Sequence, residues 1–245
     1  MSKVPEISIG FWIVRILSAS LGDSSADAMI AASKTDLGLV SAIAGGLFLT
    51  TLAFQLGVSR YRPVIYWSVS AAAAALGTLI PIYLFTAFGL SLLTTSLLAG
   101  CAMLAVCILW DATMGFVSVS GITRLPAELF YWATVLIASF LGSSLGYYTS
   151  SHFVSGIGGA AFVFGAALAL IAFIYSVLNY SGPFLFWATF TLTFPLGDTV
   201  DDLLTPIGKG SSALDKGPAL AVVAIAIFAA ICLSSRVSAT RETTS

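Results

Sequence analysis

Asp23 and Asp27 stand four residues apart in an otherwise apolar stretch, Leu21-Gly22-Asp23-Ser24-Ser25-Ala26-Asp27. A second acidic group, Asp198, Asp201 and Asp202, follows Leu196-Gly197 near the far end of the chain. Residues four apart share one face of a helix. A carboxylate at membrane depth costs at least about 2.5 kcal/mol, so it belongs inside a helix bundle or against a wet cavity. Carboxylate, hydroxyl and carbonyl oxygens suit hard cations such as Mg²⁺, Ca²⁺ or Mn²⁺. Intramembrane acids also serve Na⁺ and proton relays. The spacing does not name the cation, and a bound cation is the one cofactor it admits. The plain alternative for Asp27, Asp201 and Asp202 is solvation at the outer interface. For Asp23 and Asp198 it is a buried neutralising partner. Arg15 precedes Asp23 by two turns and can play that part. It also has the reach to snorkel to headgroups, with Glu128 and Asp111 as other partners.

The elements that position these acids repeat. Phe11-Trp12, Tyr66-Trp67, Tyr131-Trp132 and Phe186-Trp187 each precede a Leu-Gly pair, with Gly22, Gly77, Gly142 and Gly197 ten residues after the Trp. The tryptophans are 55, 65 and 55 residues apart. This reads as four tandem two-helix units. Ten residues at about 1.5 Å each put the glycines about 15 Å from the tryptophans, near the middle of the hydrocarbon. Asp23 and Asp198 follow at once, and Thr78 and Ser143 occupy the matching positions in the other two units. Asp27 and Asp202 come one turn later, matched by Ile82 and Tyr147. The expected site is therefore Asp23, Asp27, Asp198 and Asp202, with Asp201, Thr78, Ser143 and Tyr147 beside them. The four acids in matching positions are also the metal ligands such a site would use. The four glycines permit close backbone approach, while Pro81 and Pro195 either interrupt two helices and free carbonyls toward a cavity or are only kinks. Gly45, Gly100 and Gly165, each 33 residues after its Trp, read as packing positions in the second helices.

The 245 residues are 58% hydrophobic and 9% charged, with a mean hydropathy of +1.02. A soluble domain has about 25% charged residues, so this is an integral membrane protein. A net charge of −1 offers no basic face to nucleic acid. Cys101, Cys107 and Cys232 lack metal or redox spacing and read as apolar packers. The single histidine, His152, falls in an expected loop, which leaves no histidine triad. The first apolar segment holds Arg15, Asp23 and Asp27, so it is kept as a helix and not read as a cleaved leader.

Eight segments are long enough to span: 7–31, 36–57, 63–87, 90–113, 125–149, 154–178, 183–205 and 217–235. The expected fold is an all-α bundle in 4+4 halves, as repeats 7–57, 63–113, 125–178 and 183–235 with a polar tail at 236–245. Two crossings per unit make the units parallel, about an axis along the membrane normal. Lys3, Arg60, Arg62, Arg124, Arg236 and Arg241 fall on the N-terminal side, against Lys34, Lys209 and Lys216 on the other, which argues for cytoplasmic termini. The aromatic-Trp pairs then fall at the cytoplasmic interface.

Two other classes compete. Intramembrane aspartyl proteases pair two aspartates, and Leu196-Gly197-Asp198 with Pro218-Ala219-Leu220 is similar to their motifs. The first motif glycine is Pro195 here, however, and a Tyr-Asp pair is missing, so no enzyme is expected. A non-catalytic protein binding a lipid or other hydrophobic ligand fits the 17 Phe, 8 Tyr and 5 Trp. A retinal protein is disfavoured because Lys3, Lys34, Lys209 and Lys216 lie in loops or near ends.

The pattern resembles a family of uncharacterised bacterial integral membrane proteins with four tandem two-helix repeats of unknown function, each marked by a tryptophan. Lys3-Val4-Pro5-Glu6, Phe11-Trp12 and Leu21-Gly22-Asp23 carry the likeness, which covers residues 3–235. In that family an acid commonly follows Leu-Gly by five residues in every repeat. Asp27 and Asp202 match, Ile82 and Tyr147 depart, and Phe194 stands where a basic residue is often found. The resemblance implies the eight-helix fold, a bacterial inner-membrane location and a lopsided site on the first and seventh helices. It implies no activity. Transport of a small cation, linked to protons, is the expectation from the acids alone. The bilayer and the cation are the expected partners, and a homodimer is compatible.

Overall fold

The computed structural model describes residues 2–33, 36–115, 117, 119, 122–152, 157–178 and 182–204. All elements among them are helices: α1 (Ile9–Ser33), α2 (Leu37–Gly57), α3 (Pro63–Phe88), α4 (Leu92–Met114), α5 (Leu125–His152), α6 (Ile157–Leu178) and α7 (Pro183–Leu204). They coincide with the first seven expected segments to within three residues. The eighth segment, 217–235, lies outside the described residues, as do Lys34, Lys209, Lys216 and Cys232.

The ends follow from local chemistry. Asp36 caps α2 by accepting from the Leu39 amide at 2.9 Å, and Ser91 caps α4 from Thr94 at 3.1 Å. Pro63 opens α3, where its missing N–H is harmless. Gly89 and Gly115 end α3 and α4 at φ 65° and 78°, a left-handed conformation open to glycine. Pro81 and Pro195 sit inside continuous α3 and α7. The expected interruptions are therefore absent. Each proline still removes the amide that would bond the carbonyl four residues earlier. His152 is the last residue of α5 and not in a loop; it stacks on Tyr148, one turn back.

α1, α3, α5 and α7 form the inside of the bundle, each against the next, with α7 returning to α1. α2 lies on α3, α4 on α5 and α6 on α7, so the second helix of each pair covers the first helix of the following one. Polarity runs opposite to that of a soluble protein. Ser18, Ser20, Ser24, Ser70, Thr134, Ser139 and Ser144 are buried, while Leu49, Phe54, Leu97, Leu104, Ile108, Phe162 and Phe173 are exposed. Apolar surface on this scale calls for lipid. α2, α3, α4 and α5 are long and apolar enough to cross a membrane, and α6 contains the shorter apolar stretch Phe162–Tyr175. The acids of α1 and α7, with Arg15, lower the hydropathy of those two inner helices.

Candidate functional site

The four Leu-Gly glycines mark the helix crossings. A Cβ on Gly22 would strike the Ala74 side chain and stand 2.8 Å from Ala71 O and Ala75 N. On Gly77 it would meet Ser139 Cβ at 2.7 Å, on Gly142 Phe194 Cβ at 2.6 Å, and on Gly197 Ala19 Cβ at 2.7 Å. Ala74, Ser139, Phe194 and Ala19 each lie three residues before the glycine of the neighbouring helix. The same contact therefore recurs from α1 to α3, α5, α7 and back to α1. At Gly142 the backbone atom met is Thr191 O, the carbonyl released by Pro195. Gly45, Gly100 and Gly165 differ. Nothing lies within 4 Å of where their Cβ would be. Among the described residues, smallness at these positions serves no close approach.

One end of this ring is aromatic, and the same cyclic rule holds. Phe11 meets Trp67 at 5.6 Å between ring centroids, Tyr66 meets Trp132 at 5.2 Å, Tyr131 meets Trp187 at 5.6 Å and Phe186 meets Trp12 at 5.5 Å. Tyr66 and Tyr131 also share a hydroxyl–hydroxyl hydrogen bond. Trp67, Trp132 and Trp187 are buried. These three thus build an inner layer, not a lipid-facing belt, while Trp12 is half-buried. Their distance along the helix from the glycines is legible from residue counting, whereas the direction they face is a packing outcome.

Further in lie the charged groups, Arg15 within about one turn of Trp12 and Asp23 about three turns along. Asp23, 8% exposed, accepts a hydrogen bond from Thr78 Oγ1 at 3.0 Å, across the α1–α3 crossing. Ser143, in the matching position of α5, is fully buried and its hydroxyl has no partner. Asp198 occupies the corresponding place along α7, but its side chain and those of Asp201 and Asp202 lie outside the described ones. Asp27 and Tyr147 are half-buried. Arg15 is 0% exposed, with its guanidinium carbon 3.9 Å from the Phe190 ring centroid and 5.8 Å from that of Phe194. Its NH2 group reaches Ser139 Oγ at 3.4 Å. Arg15 therefore does not snorkel. It faces the bundle interior, because the aromatic faces of α7 offer a desolvated cation–π seat.

Glu128 and Asp111 are not its partners. Glu128, 1% exposed, pairs with Lys3 at 2.7 Å and accepts from Gln55 Nε2 at 3.2 Å. Asp111 is exposed in the last turn of α4.

Compared with protein-family models, curated proteins and solved structures, the chain matches none.

What the site can do thus rests on the chain's own chemistry. Among the described residues, the Asp23 carboxylate, the Thr78 and Ser143 hydroxyls in matching positions and the permanently charged Arg15 guanidinium share the interior of one helix ring. Ser139 and Gln55 were not singled out by sequence reasoning. Ser139 has a signal: it is the polar member of the column Ala19, Ala74, Ser139, Phe194. Gln55, near the end of α2, has none. Between α1, α2 and α3 a lateral cleft of about 120 Å³ is lined by Ser25, Met29, Ala44, Leu47 and the alanines of α3.

Proposed function

We propose that this chain is a membrane transporter of a small cation, proton-linked, built as four tandem two-helix units with eight spans in a bacterial inner membrane. The observation that carries the reading is Asp23: a nearly buried carboxylate bonded to Thr78 inside a closed ring of four helices. A charge in that position is costly unless used, and intramembrane acids of this kind mark ion and proton paths. The exposed Arg60, Arg62 and Arg124 support a cytoplasmic N-terminal side. For a metal cargo the ligands would be Asp23, Asp27, Asp198 and Asp202.

The test is ion flux in proteoliposomes, scanning protons, Na⁺ and divalent cations. Wild type is expected to move at least one of these ions. Asp23→Asn with Asp198→Asn is expected to abolish flux while eluting from a sizing column like wild type. Full flux in that double variant, or no flux of any ion in wild type, sinks the proposal. The lateral cleft favours a second reading, occupation by a lipid acyl chain. Filling it with Ala72→Leu would then reduce the lipid that co-purifies.

A further inference from the structure

The segment before α1 lies on the end of the bundle. Tyr61 N, in the α2–α3 connection, donates to Ser2 O at 3.2 Å, and Lys3 N donates to Ile122 O, before α5, at 3.1 Å. Residues 2–4 therefore bridge two connections at the end where the odd-numbered helices begin. Val4 and Ile122 are buried and belong to the same apolar cluster as Phe11, Tyr66, Tyr131, Trp132 and Trp187. The segment thus sits on the aromatic layer, and the aromatic layer sits on the charged interior. Its strongest tether is Lys3. The ammonium bonds Glu128 Oε2 at 2.7 Å and Leu56 O at 3.1 Å.

We infer that Ser2–Val4 is a detachable strap sealing this end of the bundle, latched by the Lys3–Glu128 pair, and that it lifts when the interior is reached from this side. The purpose rests on the transport reading, whereas the closure stands on the contacts above. Two features suit a latch that opens. The strap buries one apolar side chain, Val4, and is otherwise held by polar contacts: the ion pair, the Lys3–Leu56 bond, two backbone bonds and a long one from Gln55 Nε2 to Lys3 O at 3.5 Å. Release of Lys3 also does not strand Glu128, because Gln55 Nε2 still donates to its other oxygen. A buried carboxylate with no donor left would oppose opening far more strongly. Gln55 is fully buried and its Oε1 is without a partner, so it has spare acceptor capacity for the strap backbone or water in a rearranged end.

The test is thiol accessibility of the purified protein in detergent. Cys101, Cys107 and Cys232 are replaced by serine, and one reporter is introduced per variant. Ser70→Cys reports from α3 one turn beyond Tyr66, and Thr149→Cys reports from the other end of α5. Glu128→Gln is expected to speed reaction of the Ser70→Cys reporter with a small charged methanethiosulfonate at least tenfold. Lys3→Glu combined with Glu128→Lys should return it to the original rate, and the Thr149→Cys reporter should not respond. An unchanged Ser70→Cys rate in folded Glu128→Gln protein overturns the inference. So does a parallel rise at both reporters, which would mean general loosening. If Glu128→Gln does not fold, deletion of residues 2–4 removes the strap without touching a helix and is read the same way. No ion flux enters this measurement, so a failed seal and a failed transporter are distinguishable results.

Discussion

At the residue scale, glycines of identical chemistry do opposite things. A methyl added at Gly22 would press on Ala71 O and Ala75 N, both 2.8 Å away, and backbone atoms of a packed helix do not yield. Gly22→Ala is therefore expected to destabilise by about 1–3 kcal/mol, the usual penalty for overpacking. Gly46→Ala points into open space and is expected to be neutral or to stabilise by up to about 1 kcal/mol through helix propensity. Heating both variants in detergent and measuring the fraction that stays monodisperse checks the pair. Equal behaviour would mean that the α1–α3 crossing is looser than described. Sequence spacing placed both glycines in helices, yet only Gly22 faces a neighbour. The same limit applied to Arg15. Its position along α1 was legible, while its inward direction depended on Phe190 and Phe194, contributed by a helix about 175 residues away.

At the element scale, the second helix of each pair leans on the first helix of the next. This joins neighbouring pairs more firmly than the connections do. Cutting the chain in the α4–α5 connection would leave the α4–α5, α3–α5 and α1–α7 faces intact. In lipid, helices that span independently associate by such packing. Two co-expressed fragments, 1–117 and 118–245, are therefore expected to co-purify through a tag on one of them. Separate elution would show that the connection, and not the interlocking faces, holds the halves together. The tryptophan spacing predicted this pairing of helices along the chain. It did not predict that each aromatic-Trp pair would reach into the next unit, as Tyr66 does to Trp132. That step needs the four inner helices to close a ring.

At the scale of the whole molecule, matched contacts at both the tryptophan and the glycine levels require α1, α3, α5 and α7 to run parallel. Each return helix then carries the chain back across the bundle. Sidedness follows. Ser59→Cys and Thr123→Cys should react with an impermeant maleimide from one face of the membrane, and Ser91→Cys and Ser150→Cys from the other. The basic residues predict that the first face is cytoplasmic. Labelling of Ser59→Cys and Ser91→Cys from the same face would remove the parallel arrangement.

Composition and periodicity by themselves determined that the chain is helical and apolar enough for a membrane, where seven helices lie to within three residues, and how far along their helices Gly22 and Asp23 follow Trp12. Those properties depend on hydrophobic length and on rise per residue, which are local. The tertiary structure alone decided which way each side chain faces. It turned the tryptophans inward, left Gly45 and Gly100 in open space, seated Arg15 on Phe190, gave Thr78 to Asp23, and tied Lys3 to Glu128. The last three of those outcomes join residues more than 50 positions apart. Rotation of a helix about its own axis is fixed only by the partners it meets.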